Sequence, residues 1–293
     1  MRPSARAYAL ILCGLLASAV AAAAERILLE RKSSFNTILV TENERGLRIL
    51  RFEAGGALQS VVKPGDPDHL ELAYARAIPV AFLYVEKPSR VLVVGLGGGT
   101  IPGFLRRRFP DTQVDVVEID PGVVEVAKSH FGFREDAKMR VHVDDGRRFI
   151  ERAAGTYDII FLDGFGIDSV PRHLTTREFH HAVRRALTDR GIVVGNLWGR
   201  AVNRLYDSMV KTYQAVYDDL SIVDVPASAN KIVVGFPYIP GIAPTEIHRR
   251  ARALTRDLAL RTDLAEIVER GHRSVGSDGG SAEVLTDDGA TQK

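Results

Sequence analysis

The chain holds a single cysteine, Cys13, among its 293 residues. It lies in an N-terminal apolar stretch, so the body of the protein can form neither a disulfide nor a catalytic thiolate. Metal-ligand spacing is also missing. His69, His130, His142, His173, His248 and His272 are scattered, and adjacent His180 and His181 would sit on different faces of a helix. Ser169, Ser208 and Ser221 lack the strand–turn–helix context of a nucleophile elbow. Nor is there an excess of one charge. The 39 Lys and Arg residues against 37 Asp and Glu leave a net +2, which removes the electrostatic case for a nucleic-acid partner. The run Arg106-Arg107-Arg108 then reads as a solvated helix face. Metal-dependent, thiol-dependent and serine-hydrolase chemistry are therefore not expected, and no internal repeat occurs.

What is present begins with a targeting signature. Arg2 and Arg6 precede an apolar run from Ala7 to Val20, followed by Ala21-Ala22-Ala23-Ala24 and then Glu25. A charged start, an apolar centre and small residues before a cut site describe a secretory signal peptide over 1–24, cleaved near Ala24. The expected product is an exported, periplasmic chain with no stable membrane span. An uncleaved N-terminal membrane anchor is the alternative. Leu12 is too large to precede a lipid-modified Cys13.

The remainder divides by pattern. Short apolar runs at 26–29, 37–41, 47–52 and 58–62, separated by turn residues, predict a small antiparallel β-domain over 25–66. A Rossmann-like domain is expected over 67–270. It opens with a helix from Asp68 to about Tyr84, capped by Asp68 and Glu71. Strands follow at 91–94, 114–119, 139–143, 157–162 and 192–197, with helices between them. Thr175 and Glu178 form a second capping box, and Val202, Leu205, Met209 and Tyr213 line a helix face. Runs at 222–225 and 231–236 predict a final antiparallel pair, and Ile247, Ala251, Leu254 and Leu258 a C-terminal helix. The Gly-, Ser- and Asp-rich tail over 271–293 is expected to be disordered.

The informative stretch is Arg90 to Asp120, a βαβ unit. A buried strand leads into Gly95-Leu96-Gly97-Gly98-Gly99-Thr100, a helix follows with Pro102 in its first turn, and a second strand ends in Glu118-Ile119-Asp120. Glycines at Gly95, Gly97, Gly98 and Gly99 let a ligand approach the backbone, and Glu118 can accept hydrogen bonds from ribose hydroxyls. A dinucleotide fingerprint wants glycine where Thr100 stands. An S-adenosyl nucleoside, which has no pyrophosphate, suits this turn better. Two further strands also end in acids, Asp144-Asp145-Gly146 and Asp163, and an open α/β sheet brings such ends to one rim. Asp145 is placed for an adenine amine and Asp163 for the reacting centre. Capping of the helices that follow is the alternative reading of each acid.

Taken together, VLVVGLGGGT, VDVVEIDPGVVEVAKSHF, RVHVDDGRRFI, YDIIFLDGF, LTTREFHHAVRRAL and GIVVGNLW resemble the polyamine aminopropyltransferase (spermidine synthase) family. The resemblance covers roughly 26–236. It implies a class I methyltransferase-like fold, decarboxylated S-adenosylmethionine as co-substrate and a small-molecule amine acceptor. It also implies ribose binding by Glu118 with Asp120 beside it, adenine binding by Asp145 and Gly146, general-base catalysis by Asp163, and a homodimer as one assembly the family allows. Tyr74 and Asp168 are the substrate-site candidates. Three positions depart from the family: Thr100 replaces an Asp, Gly166 stands where a second acid is usual, and Tyr74-Ala75-Arg76 replaces Tyr-His-Glu. Bound cationic amines need carboxylate partners, and Arg76 would repel them. Three readings stay open: an aminopropyltransferase-like transferase, a methyltransferase using S-adenosylmethionine itself, and an exported non-catalytic ligand-binding protein.

Overall fold

A computed structural model describes residues 25–167, 169–275 and 282–290. The segment 1–24, expected to be a signal peptide, lies outside the described residues, as does Asp168. Among the described residues, no helix is long and apolar enough to cross a membrane.

The N-terminal part is a four-stranded antiparallel meander of β1 (Arg26–Lys32), β2 (Thr37–Glu42), β3 (Arg48–Arg51) and β4 (Ser60–Val62). Its inward residues Ile38, Val40, Leu50 and Phe52 pack on Val123, Val126 and Phe131 of the main domain. Burial of that apolar face holds the meander over one rim of the larger sheet.

That larger sheet has eight strands. Its parallel part consists of β5 (Arg90–Val94), β6 (Gln113–Glu118), β7 (Met139–Val143), β8 (Tyr157–Leu162) and β9 (Leu187–Trp198). An antiparallel set follows, β10 (Asp219–Asp224), β11 (Asn230–Phe236) and β12 (His272–Ser274). The spatial order is β12-β10-β11-β9-β8-β5-β6-β7. The chain passes outward from β5 through β6 to β7, then returns to place β8 on the other side of β5. Between β5 and β8 lies the switch point, where open α/β sheets bind ligands. Strands β5 and β8 are nearly continuous apolar runs because both sheet faces are covered. On one face lie α2 (Thr100–Arg108), α3 (Pro121–His130), α7 (Pro244–Asp257) and α8 (Leu264–Gly271). On the other lie α4 (Gly146–Glu151), α5 (Arg177–Ala186) and α6 (Tyr206–Gln214).

Four local expectations are corrected. The first helix, α1, spans only Ala73–Ala77 and tightens into a 3₁₀ turn over Ile78–Leu83, where Pro79 lacks an N–H to donate. Asp68 does not cap it. Asp68 pairs instead with Arg107 and Arg108, and Glu71 pairs with Arg45 and His69. Thr176, not Thr175, caps α5 by accepting from the Phe179 amide, while Thr175 donates to the Arg172 carbonyl. Val202 and Leu205 are exposed ahead of α6 rather than on its buried face.

Within the tail expected to be disordered, only 271–275 and 282–290 are described, and these make ordered contacts. His272–Ser274 adds an edge strand to the large sheet by pairing with β10. Leu285 is 6% exposed among the buried residues around α5 and α6, and its backbone bonds Thr212 and Arg177. Asp287 forms a two-pronged pair with Arg147 at 2.6 and 2.8 Å. Composition favoured disorder, but one apolar side chain and one well-formed ion pair anchor the segment. Leu285→Ala should therefore lower stability by about 2–4 kcal/mol, as truncation of a buried leucine does. A chemical-denaturation midpoint equal to that of the unsubstituted chain would return the segment to the disordered tail.

Candidate active site

Close backbone approach builds the site. Strand β5 ends at Val94, and Gly95 turns at φ +99° directly against β8. A Cβ at Gly95 would lie 2.5 Å from the carbonyl oxygen of Asp163, so no other residue fits without moving the strand end. At Gly146 a Cβ would meet Val94 Cγ1 at 2.6 Å, which explains the glycine after Asp145. The space opened beyond these strand ends is a cleft of about 330 Å³. It is roofed by Gln59, Ser60 and Leu58 from the small sheet. Its volume falls within the range of about 300–1,000 Å³ usual for small-molecule sites.

Most of the residues singled out in the sequence meet here. Gly95, Gly97, Glu118, Asp145, Gly146, Asp163 and Tyr74 all line the cleft. Glu118 is 8% exposed, and its two oxygens accept the backbone amides of Leu96 and Asp120, each at 3.0 Å. Burial pushes its carboxyl above the usual range, against the pull of those amides. The glutamate thus ties the glycine turn to the end of β6 while keeping lone pairs for a ligand. Asp145 caps α4 through the Arg148 amide at 2.9 Å and also faces the cleft, where His173 Nε2 lies 2.8 Å from its other oxygen. Capping and cleft-lining are both true of this residue.

Three of the expected cofactor residues, Asp120, Gly98 and Gly99, do not line the cleft. Asp120 is 1% exposed, caps α3 through the Gly122 amide and accepts from Ser33 of the small sheet. Its role is to lock the two sheets together. Gly98 and Gly99 make room for Phe131 and Phe133, which a Cβ at either position would meet at 2.7 or 2.5 Å. Both glycines serve packing behind the turn. Arg76 also points elsewhere, into a separate cavity, so it does not oppose a cation in the cleft.

Asp163 sits at the centre of a hydrogen-bonded network. Tyr74 Oη donates to its Oδ2 at 3.3 Å, and Asn196 Nδ2 donates to its Oδ1 at 2.8 Å. Asn230 Nδ2 then donates to Asn196 Oδ1 at 2.8 Å, and Ser228 Oγ to Asn230 Oδ1 at 2.7 Å. A carboxylate only accepts, so the orientation of each amide follows from the one before it. The chain of amide donors ends on Oδ1, and Oδ2 accepts only the longer bond from Tyr74. Burial in the cleft wall pushes the Asp163 carboxyl up to about 7, with Asn196 and Tyr74 pulling the other way. Tyr74, buried beside a carboxylate, is held well above its ordinary range and remains a neutral donor. Sequence reasoning missed Asn196, Asn230, Ser228 and His173. Asn196 left a signal, a lone amide ending the apolar run of β9. Ser228 and Asn230 left none.

The remaining polar contacts mark departures from the family pattern. Thr100 Oγ1 lies 3.0 Å from Ser60 Oγ, so a neutral hydroxyl pair stands where the resemblance expects an acid. Phe165 and Trp198, with ring centroids 5.4 Å apart, line the cleft near Asp163. Among the described residues, no group of three or more His, Cys, Asp or Glu is arranged to hold a metal ion.

A five-stranded parallel core, a glycine turn at its switch point and acids on successive strand ends define the class I methyltransferase-like fold, here with a small N-terminal β-meander. Comparison with known proteins narrows the class. The Spermine/spermidine synthase domain family matches residues 71–224, and the chain belongs to it. A polyamine aminopropyltransferase of Vibrio vulnificus is 34% identical over 231 residues, covering 76% of each chain. The crystal structure of a probable spermidine synthase from Corynebacterium glutamicum superposes with a TM-score of 0.68 at 19% identity. It covers 88% of this chain and 96% of that one, and shows the shared fold. The structure of human Methyltransferase-like protein 13 in complex with SAH is 32% identical with a TM-score of 0.55, covering 64% of this chain and 89% of that one.

The raised Asp163 pKa has a consequence for stability. Unfolded, an aspartate titrates near 3.9; folded, this one titrates at about 7. The folded state holds the proton more tightly between these values, so stability falls as pH rises from about 4 to about 7 and is level above. Asp163→Asn cannot ionise and escapes that cost. At pH 8 its melting temperature should exceed that of the unsubstituted protein by several degrees, with the gap closing below about pH 4. A lower melting temperature for the variant at pH 8 would make Asp163 an anchor of its loop instead.

Proposed function

We propose that the protein is an aminopropyltransferase-like transferase. It would bind a sulfonium nucleoside of the S-adenosyl type, decarboxylated S-adenosylmethionine in the family-typical case, and transfer its aminopropyl group to a small amine. The observation that carries this reading is Asp163, a carboxyl titrating near neutrality that lines the same cleft as Glu118, its Oδ2 held only by a 3.3 Å bond from Tyr74. The acceptor nitrogen attacks the methylene carbon next to sulfur. The C–S bond breaks, the thioether leaves with its electron pair, and the ammonium proton passes to Asp163 Oδ2. Tyr74 and Asn196 hold the carboxylate in line. Glu118 is placed for the ribose hydroxyls. Ile119, 39% exposed but lining the cleft, offers an apolar wall that a flat base would cover, opposite Leu174.

The carboxylates lining the described cleft are Glu118, Asp145 and Asp163. A diamine needs a further anion for its distal ammonium, and Thr100 and Gly166 supply none. This supports an acceptor with one reacting amine and an uncharged remainder resting on Phe165 and Trp198. The same observation favours a second reading, methyl transfer from S-adenosylmethionine. The 32%-identical human relative, solved with SAH, is consistent with it. Calorimetry with S-adenosylmethionine, its decarboxylated form and methylthioadenosine separates the two by which sulfonium binds more tightly. Failure of all three to bind removes both.

Two outcomes are expected. With either sulfonium, turnover should rise with pH through about 7 as Asp163 ionises. In Asp163→Asn it should fall about 10²–10⁴-fold, the usual contribution of a general base, with nucleoside affinity nearly unchanged. Turnover within threefold of the unsubstituted rate would take Asp163 out of the mechanism. We also propose export. N-terminal sequencing of the protein from its native host should find a chain beginning near Glu25, and an intact Met1 on cytosolic protein would refute it.

A further inference from the structure

Helix α1 faces two ways. Tyr74 reaches Asp163, while Arg76, two residues on, lines a second cavity of about 150 Å³ that shares no residue with the catalytic cleft. The floor of this cavity is apolar, formed by Phe104 of α2, Pro79 and Leu260. Its polar lining carries three guanidinium groups, from Arg76, Arg108 and Arg261, beside the Asp68 carboxylate and the His69 ring.

These arginines are not neutralised. Asp68 is shared between Arg107, at 3.1 Å, and Arg108, at 2.9 Å. Asp66 is taken by Arg261 through two bonds of 2.7 and 2.8 Å. The half-buried side chain of Arg76 has no hydrogen-bond or ion-pair partner among the described residues. With Arg107, which shares Asp68 from outside the cavity, four arginines answer to two aspartates, and Arg76 on the rim is left with none. Arg108 Nε adds a sharper observation: it is shielded from solvent and bonded to nothing. A buried donor left unpaired is costly, and native structures carry few of them.

We infer that this cavity, between α1, the end of α2 and the turn joining α7 to α8, is a binding site for a small organic oxyanion, a phosphate monoester or a carboxylate. Guanidinium forks match the oxygens of either group. One oxygen would meet the exposed part of the Arg108 guanidinium, another would meet Arg76, and the apolar floor would take a short carbon stem. The inference is independent of the reaction assigned to the cleft, because no residue is common to the two.

The test uses the full mature chain and measures binding directly. Isothermal calorimetry is run with inorganic phosphate, methyl phosphate and propionate, each at matched ionic strength held with chloride. Saturable binding of one of them at a single site is expected, and preference between the phosphates and propionate identifies the headgroup. Arg76→Gln should weaken it about 10-fold or more, the loss of one charge-assisted hydrogen bond. This variant has no ion pair to break, so its melting temperature without anion should be unchanged, which separates lost binding from lost folding. Arg108→Gln should weaken binding similarly. Absence of saturable binding for all three probes overturns the inference, and so does equal affinity in Arg76→Gln and the unsubstituted chain.

Discussion

The structure depends on one close contact, the approach of the β5 end to the β8 end at the switch point of the sheet. Asp163 donates its backbone amide to the Val94 carbonyl at 2.9 Å, and Gly95 donates to the Val117 carbonyl at 2.8 Å. Three strand ends are thereby pinned within one hydrogen-bonded knot. Only a residue without a Cβ permits it, because Gly95 lies against the Asp163 carbonyl. From that knot the glycine turn leaves in one direction and the Asp163 side chain in another, and the cleft is the space between them.

Within the cleft, two buried carboxylates meet different fates through the donors that reach them. Glu118 is held by backbone amides at both oxygens, which fix its position whatever its charge. Asp163 is held by side-chain donors, a phenol on one oxygen and an amide on the other. Burial raises both carboxyls, and that of Asp163 is pushed up to about 7. Pairs of acids whose surroundings set them to different tasks are a recurring way to divide binding from proton transfer. Here one carboxylate is held by backbone amides and the other by side chains.

Contacts distant in sequence close the site. The small sheet covers the cleft because Ile38 and Leu50 bury against α3 and because Ser33 bonds the buried Asp120. The C-terminal segment reaches back to α4 and α5, where Asp287 meets Arg147 and accepts no role in the cleft itself. Asn230, on an antiparallel strand added after the parallel core, supplies the donor that orients Asn196.

The βαβ unit, the acids at strand ends and the family resemblance were legible in the sequence. Each depends on local order, since a strand, a glycine turn and a helix are neighbours along the chain and their spacing is fixed by backbone geometry. The sequence by itself also determined that Glu118, Asp145 and Asp163 share a rim, because parallel strands place their carboxyl ends on one side. Only the tertiary structure decided that Asp120, Gly98 and Gly99 serve packing, that Asp68 pairs with α2 rather than capping a helix, and that Arg76 faces away from the cleft. Only it joined Ser228, Asn230 and Asn196 to Asp163. These are contacts between segments far apart in the chain, where a side chain's partner depends on which surface burial presents to it, and no local pattern carries that information.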